Sequence, residues 1–202
     1  VNGELHGVVD SDSGRLGTAP HRRLDTGFPV IVADPPWTFR DAGSRLTPSF
    51  GGKHYDTMRL TDICDAGAFV QKLAADDSFL FLWAPNAMVL DGSAQCVAKA
   101  WGFEARQQII WIKTTDDGHK IRFGAGHYAR NATESLLLCR RGKAKAARHD
   151  MANVFFAPRA KHSEKPDESY RYIEKLTGAE SFLELYARRQ YSERWTAWGD
   201  QI

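Results

Sequence analysis

Cysteine is scarce in this chain: Cys64, Cys96 and Cys139 are the only three in 202 residues, far apart and odd in number. That excludes a disulfide framework and reads as small, reduced core residues of a cytosolic protein. No Cys or His residues cluster at the spacing of a zinc site, so no metal is expected. No apolar run nears the roughly 18 residues of a membrane span, and the opening stretch, VNGELHGVVDSDSGRLG, does not read as a signal peptide. Charge of one sign is also missing. Lys and Arg number 27 against 25 Asp and Glu, with a pI near 8.5, a balance that permits a nucleic-acid partner without requiring one. Nucleotide signatures are absent or out of place. There is no G-x-x-x-x-G-K-[ST], so phosphoryl transfer has no support. The G-x-G-x-x-A match at Gly124 to Ala129 follows a charged loop and precedes a strand, which excludes an NAD site.

What is present is the composition of a globular domain, 43% apolar and 26% charged. Residues 1–28 are polar, Gly-rich and aperiodic and read as an N-terminal arm; residues 29–202 read as one domain, with a monomer or a homodimer both open. Short apolar runs at 29–33, 78–84, 105–114, 134–140 and 153–157, with SFLELYA and RWTAWG near the end, predict strands. Helical spacing predicts helices over 61–75, with Thr61 as a cap, over 86–101, with Asn86 as a cap, and up to Gly178. Strands apolar on both faces and alternating with helices predict a mostly parallel α/β sheet covered by helices on both faces. In such sheets ligands gather beyond the carboxyl ends of the strands. Two long loops, 43–59 and 115–132, are candidates for function on length alone.

The first strand ends in Asp34-Pro35-Pro36-Trp37. Two prolines have fixed φ and no N–H, so their carbonyls are rigid acceptors with no donor between them; Asp34 adds a carboxylate. Such an acceptor-only site suits a group with two N–H bonds, for example the exocyclic amine of a nucleobase. Trp37 would offer the base a flat surface, worth about 1–3 kcal/mol if stacked. A second reading fits these four residues equally well: a Pro-Pro strand terminator with Trp37 in the core.

DPPW resembles the catalytic motif of the adenine-N6 methyltransferase family that contains the catalytic subunit of the eukaryotic messenger-RNA enzyme, together with bacterial and phage DNA enzymes. HYDTM (54–58), FLFLWAPNAM (79–88), WGFEARQQIIWIKT (101–114), GHYARNATESLLLCRRG (126–142), HSEKPDESYRYIEKL (162–176), LELYARR (183–189) and WTAWGDQI (195–202) resemble that family in its order. The resemblance implies a Rossmann-like methyltransferase fold with circularly permuted motifs, using S-adenosylmethionine (SAM) without a Gly-rich turn. It implies that Asp34 and the Pro35 carbonyl hold the target amine, that Lys165 reaches the methionyl carboxylate, that Glu184 contacts the ribose, that Arg188 faces the cofactor, and that Asp200 and Gln201 lie near its adenosine. Two departures stand out: Asp200 replaces the family's usual Asn, and RRQYSER (188–194) is shorter than its counterpart.

Plainer readings accompany several of these residues. Lys165 reads equally as a solvated lysine leading a helix, and Glu134 as a strand-start acid. The run from Arg140 to His149 reads as a solvated loop more readily than as a phosphate track. Glu184 resists a plain reading, because a carboxylate inside an apolar strand needs a partner or a ligand. Tyr55, His127 and Tyr128 lie on the long loops where they would close over a base, and Lys113 ends a strand on the site side. The expected substrate is adenine in nucleic acid, DNA ahead of RNA, in a bacterial or phage-infected cell; a non-catalytic nucleic-acid-binding subunit is the reading from another class.

Overall fold

The computed structural model describes residues 27–38, 57–124, 126, 128–159 and 164–199. Residues 1–26 of the expected arm, most of the first long loop with Tyr55, and His127, Asp200 and Gln201 lie outside them, whereas Phe28, expected in the arm, opens the first strand.

Among the described residues, seven strands form one sheet in the order β5-β3-β4-β2-β1-β6-β7. They are β1 (Phe28–Ala33), β2 (Ala74–Ala84), β3 (Glu104–Thr114), β4 (Thr133–Arg141), β5 (Val154–Pro158), β6 (Phe182–Leu185) and β7 (Trp195–Trp198). Only β4 runs against the rest, pairing antiparallel with both β2 and β3. The expected mostly parallel α/β architecture is therefore the fold. β1 is flanked by β2 and by β6, which arrives about 150 residues later in the chain and still pairs in parallel, Val32 opposite Glu184.

Helices cover both faces unequally. On one side lie α1 (Leu60–Asp65), α2 (Gly67–Leu73), α3 (Asn86–Leu90) and α4 (Ser93–Ala100), packing Ile63, Val70, Met88 and Val97 against Ile31, Leu80 and Leu82 of the sheet. On the other, α5 (Asp167–Thr177) packs Tyr170, Ile173 and Leu176 against Val30, Val32, Phe81 and Phe182. Full burial of such a side chain is worth about 1.5–3 kcal/mol. Two of the fully buried indoles find carbonyl acceptors: Trp101 donates to Ile63 O at 2.8 Å, and Trp111 to Ala157 O at 3.0 Å.

The predicted helices are shorter than their periodicity suggests. The 61–75 stretch is two helices meeting at Ala66. Gly67 is required there because a Cβ would stand 2.4 Å from Ala100 O. The 86–101 stretch breaks at Gly92, whose φ of 82° is left-handed. Neither expected cap works as one. Thr61 Oγ1 bonds Asp62 rather than a helix N–H, and Asn86 turns to Thr133 and Ser135 on β4. A tertiary partner displaces local capping at Asn86, whereas at Thr61 the competing acceptor is the adjacent Asp62. Cys64 and Cys96, far apart in sequence, are neighbours across α1 and α4; burial and the nearby Cys96 push the Cys64 thiol up to about 11.

Candidate active site

The site grows from strand register. On the α5 face, alternation places Val30 and Val32 of β1 in the core, and Asp34 is the next residue in that series, just past the strand's end. Trp111 pairs with Glu134 and Trp83 with Leu136, so these four share that face too. Lys113 follows Trp111 by two positions. Each apolar row thus turns ionic as it leaves the carboxyl end of the sheet.

Those ends meet as a chain of alternating charge. Lys165 Nζ donates to Asp34 Oδ2 at 2.6 Å and lies 3.4 Å from Glu134 Oε2. Glu134 Oε1 accepts from Lys113 Nζ at 2.6 Å. Lys165 stands over the Trp83 ring at 5.1 Å and Lys113 over Trp111 at 5.2 Å, adding cation–π attraction. Side-chain exposure is 12% for Lys165 and 24% for Asp34, so Lys165 is not the solvated lysine of the plainer reading. Its place is fixed from behind: Pro166 is extended, and its carbonyl accepts both the N–H and the hydroxyl of Ser169 in the first turn of α5.

Burial pushes the Asp34 carboxyl above its ordinary value, against the pull of Lys165. Burial also works against both charged partners. Even so, Asp34 and Glu134 together hold the Lys165 ammonium above its usual range, and Lys165 and Lys113 hold Glu134 below its own.

Glu184 sits beside this chain on β6. Tyr170 of α5 donates its hydroxyl to Oε1 at 2.8 Å, while Oε2 is buried with no hydrogen-bond partner among the described residues. Burial, with Asp34 nearby, pushes this carboxyl up to about 7. Arg188 acts on Asp34 from the segment after β6. Its neighbour Arg189 pairs with Asp167 and lies over the Tyr170 ring at 5.2 Å. A cleft of about 400 Å³ opens beside Lys165, walled by Asp116, Arg159, Asp167, Arg171 and Arg189; Asp34 and Glu184 do not line it.

Two parts of the motif differ from expectation. The carbonyls are not free of donors: Pro35 O accepts Trp37 N–H at 2.9 Å and Pro36 O accepts Met58 N–H at 2.7 Å. Each carbonyl therefore keeps a second lone pair; that of Pro36 lies within the Trp37–Met58 bridge that closes the turn, and that of Pro35 lies next to Asp34 in the chain. Trp37, only 6% exposed, packs into the core on the opposite side of the sheet and donates its indole N–H to Trp83 O at 2.9 Å. It presents no face to a base; the strand-terminator reading holds for this residue, and the motif splits across the sheet edge, acid to one side and indole to the other.

Among the described expected residues, Asp34, Lys113, Lys165, Glu184 and Arg188 come together, and Tyr128 does not, being fully exposed on the β3–β4 loop. Glu134, read from the sequence only as a strand-start acid, and Tyr170, which the sequence does not single out, are brought into the site by the fold. An acid opening an apolar strand, and a tyrosine on the helix face that must cover a buried glutamate, were the available signals. The run from Arg140 leaves β4 at the other end of the sheet, Arg141 opposite Ser78, far from Asp34, so it is no phosphate track for this site.

Residues 28–201 match the MT-A70 family model. The chain is 29% identical over 211 residues to the N(6)-adenosine-methyltransferase subunit METTL3 of Danio rerio, covering 98% of this chain and 34% of that protein. It is 30% identical over 178 residues to the catalytic subunit METTL3 of Homo sapiens, covering 87% and 28%. It is also 26% identical over 193 residues to the type II methyltransferase M.MunI of Mycoplasma sp, covering 87% and 78%. It thus spans about a third of the METTL3 proteins or less and most of the Mycoplasma one. Since the match runs from β1 past β7 and takes in every residue of the ionic chain, this protein belongs to the MT-A70 family.

Proposed function

We propose that this domain transfers a methyl group from SAM to the N6 amine of adenine in a nucleic acid, DNA ahead of RNA. The observation that carries the reading is Asp34 at the carboxyl end of β1, buried enough to be costly and held by Lys165 at 2.6 Å. The family relatives named as N(6)-adenosine-methyltransferases support the base and the reaction. The preference for DNA leans on the likeness to the type II methyltransferase of Mycoplasma sp.

The residues present fit the donor. Glu184 has a buried oxygen wanting a hydrogen bond, and a ribose diol supplies hydroxyl donors. Lys165 is a cation able to take a carboxylate, and Arg188 is close by. When bound, SAM supplies an electrophilic methyl group on a sulfonium. Asp34 and the free lone pair of Pro35 O accept the two amine hydrogens, which turns the nitrogen lone pair away from them. Lys165 engages Oδ2, and a carboxylate has a second oxygen to offer an N–H. As the nitrogen gains positive charge, the Asp34 carboxylate stabilises it. Orientation contributes most of the remainder, up to about 7–11 kcal/mol of barrier. Trp37 braces the turn from the core side. Tyr55, His127 and Tyr128 remain candidates for closing over the base, and Asp200 and Gln201 for contacting the donor's adenosine. A duplex substrate must extrude the adenine at a cost of a few kcal/mol.

Labelled-methyl transfer to single- and double-stranded DNA and RNA, followed by nucleoside analysis, tests the proposal. N6-methyladenine made by the intact protein is expected. Methyl found on cytosine N4, or no donor binding by calorimetry, overturns it, and product in RNA alone overturns the choice of polymer.

A further inference from the structure

Glu134 does more than begin a strand. Its two oxygens are divided between two ammonium groups, Oε1 to Lys113 at 2.6 Å and Oε2 to Lys165 at 3.4 Å. Lys165 is in turn divided between two carboxylates, with the shorter contact to Asp34. The two acids and two bases balance, so a change at one end is felt at the other. Removing one interior member leaves its neighbour to redistribute, because an unpaired charge that is mostly buried is expensive.

We propose that Glu134 is a positioning residue of the transfer site: by sharing Lys165 with Asp34, and being itself restrained by Lys113, it keeps Asp34 held loosely enough to take an amine. The proposal rests on the methyl-transfer reading above. A Lys165 with no second carboxylate would close fully on Asp34 and compete with the amine for its oxygens. A Glu134 with no Lys113 would draw Lys165 the other way and leave Asp34 short of a cation. The groups facing Asp34 are Lys165 ahead of α5, Glu134 from β4 with Lys113 behind it from β3, Glu184 from β6, Tyr170 from α5 and Arg188. Among them Glu134 pushes the Asp34 carboxyl up and Lys165 pulls it down.

Two variants therefore move Asp34 in opposite directions. Glu134→Gln removes a negative charge and frees Lys165 for Asp34, so Asp34 should titrate lower. Lys113→Met removes the restraint on Glu134, so Asp34 should titrate higher. The first readout needs no donor: side-chain carboxyl carbon NMR on the ligand-free protein, with Asp34 assigned by its loss in Asp34→Asn. The second is the acid limb of the kcat/KM profile for methyl transfer. It should move to lower pH in Glu134→Gln, with kcat down about tenfold from the tighter Asp34–Lys165 pair, and to higher pH in Lys113→Met, with activity regained as pH rises.

Shifts of one sign in both variants, or none, overturn the proposal, since a merely structural role would lower activity without moving the two limbs apart. Opposed NMR shifts with an unmoved kinetic limb also overturn it, leaving an ion network with no part in transfer. If the wild-type protein methylates no polymer, the function reading fails and this proposal with it, whereas the NMR titration still reports whether the charges are shared.

Discussion

The two ends of the sheet carry comparable charge and treat it differently. At the carboxyl end, Lys165, Asp34, Glu134 and Lys113 have side chains 12–31% exposed and interlock across four segments of chain. At the other end, Arg148 pairs with Asp150 two residues away, and these side chains are 46% and 65% exposed. The local pair lies in water, where screening and side-chain entropy cancel most of its worth. The interlocked set is built by register between distant strands and stands against apolar walls, where each charge depends on the next. Similar residue types thus yield a solvated surface at one end and an interlocked ionic chain at the other.

The harshest way to break this contrast is Asp34→Ala. Transfer should fall about a thousandfold, the scale of losing a preorganised charge-stabilising group, with the fold retained by circular dichroism. A variant that still transfers at a comparable rate would reduce Asp34 to another ion-pair partner. Lys165→Met comes next. It takes from Asp34 its ion-pair partner at 2.6 Å and leaves Glu134 with Lys113 alone, and should cost about 3 kcal/mol of stability along with donor affinity in calorimetry; a neutral result in both would make the two ends equivalent.

Glu184→Gln sharpens the comparison through pH. Below the ordinary carboxyl value of 4.5 this group is protonated in both folded and unfolded chains. As pH rises the unfolded chain releases the proton first, while the folded chain holds it up to about 7. This residue therefore lowers stability progressively across that window, by up to about 3 kcal/mol, and by a constant amount above it. Denaturant unfolding should show the wild type losing stability between pH 5 and 7 more steeply than the Gln variant. Donor hydroxyls favour the ionised form, so wild-type binding near pH 7 should release protons, measured by calorimetry in buffers of different ionisation enthalpy. The smallest effect belongs to Arg148→Ala, which should leave melting temperature and methyl transfer unchanged within error; a clear loss of transfer would show that the far end also serves the site.

Much of the sheet was legible because parallel strands buried on both faces leave long apolar runs, as in VIVA and FLFLWA, that no surface segment imitates. Helix ends were less legible. Gly67 is demanded by an approach to Ala100, and Asn86 is claimed by β4, neither of which is encoded nearby. In the site, Asp34 stood out because four unusual residues close an apolar run, and Glu184 because an acid in FLEL has no plain explanation. Trp37 misled because an aromatic beside an acid serves equally as platform or as brace, and only its hydrogen bond to Trp83 O separates the two.

By itself the sequence determined the α/β class and singled out the carboxyl end of β1, with Asp34, as the candidate site. These follow from periodicity and from residue types too costly to bury idly. Only the tertiary structure decided which charges share one another. Lys113, Glu134 and Lys165 lie on separate segments, and strand register with the start of α5 brings them within 2.6–3.4 Å of their partners. A lysine or a glutamate reads the same in a solvated loop as in a buried chain. Its meaning is fixed by the dielectric around it and by the partner that folding delivers.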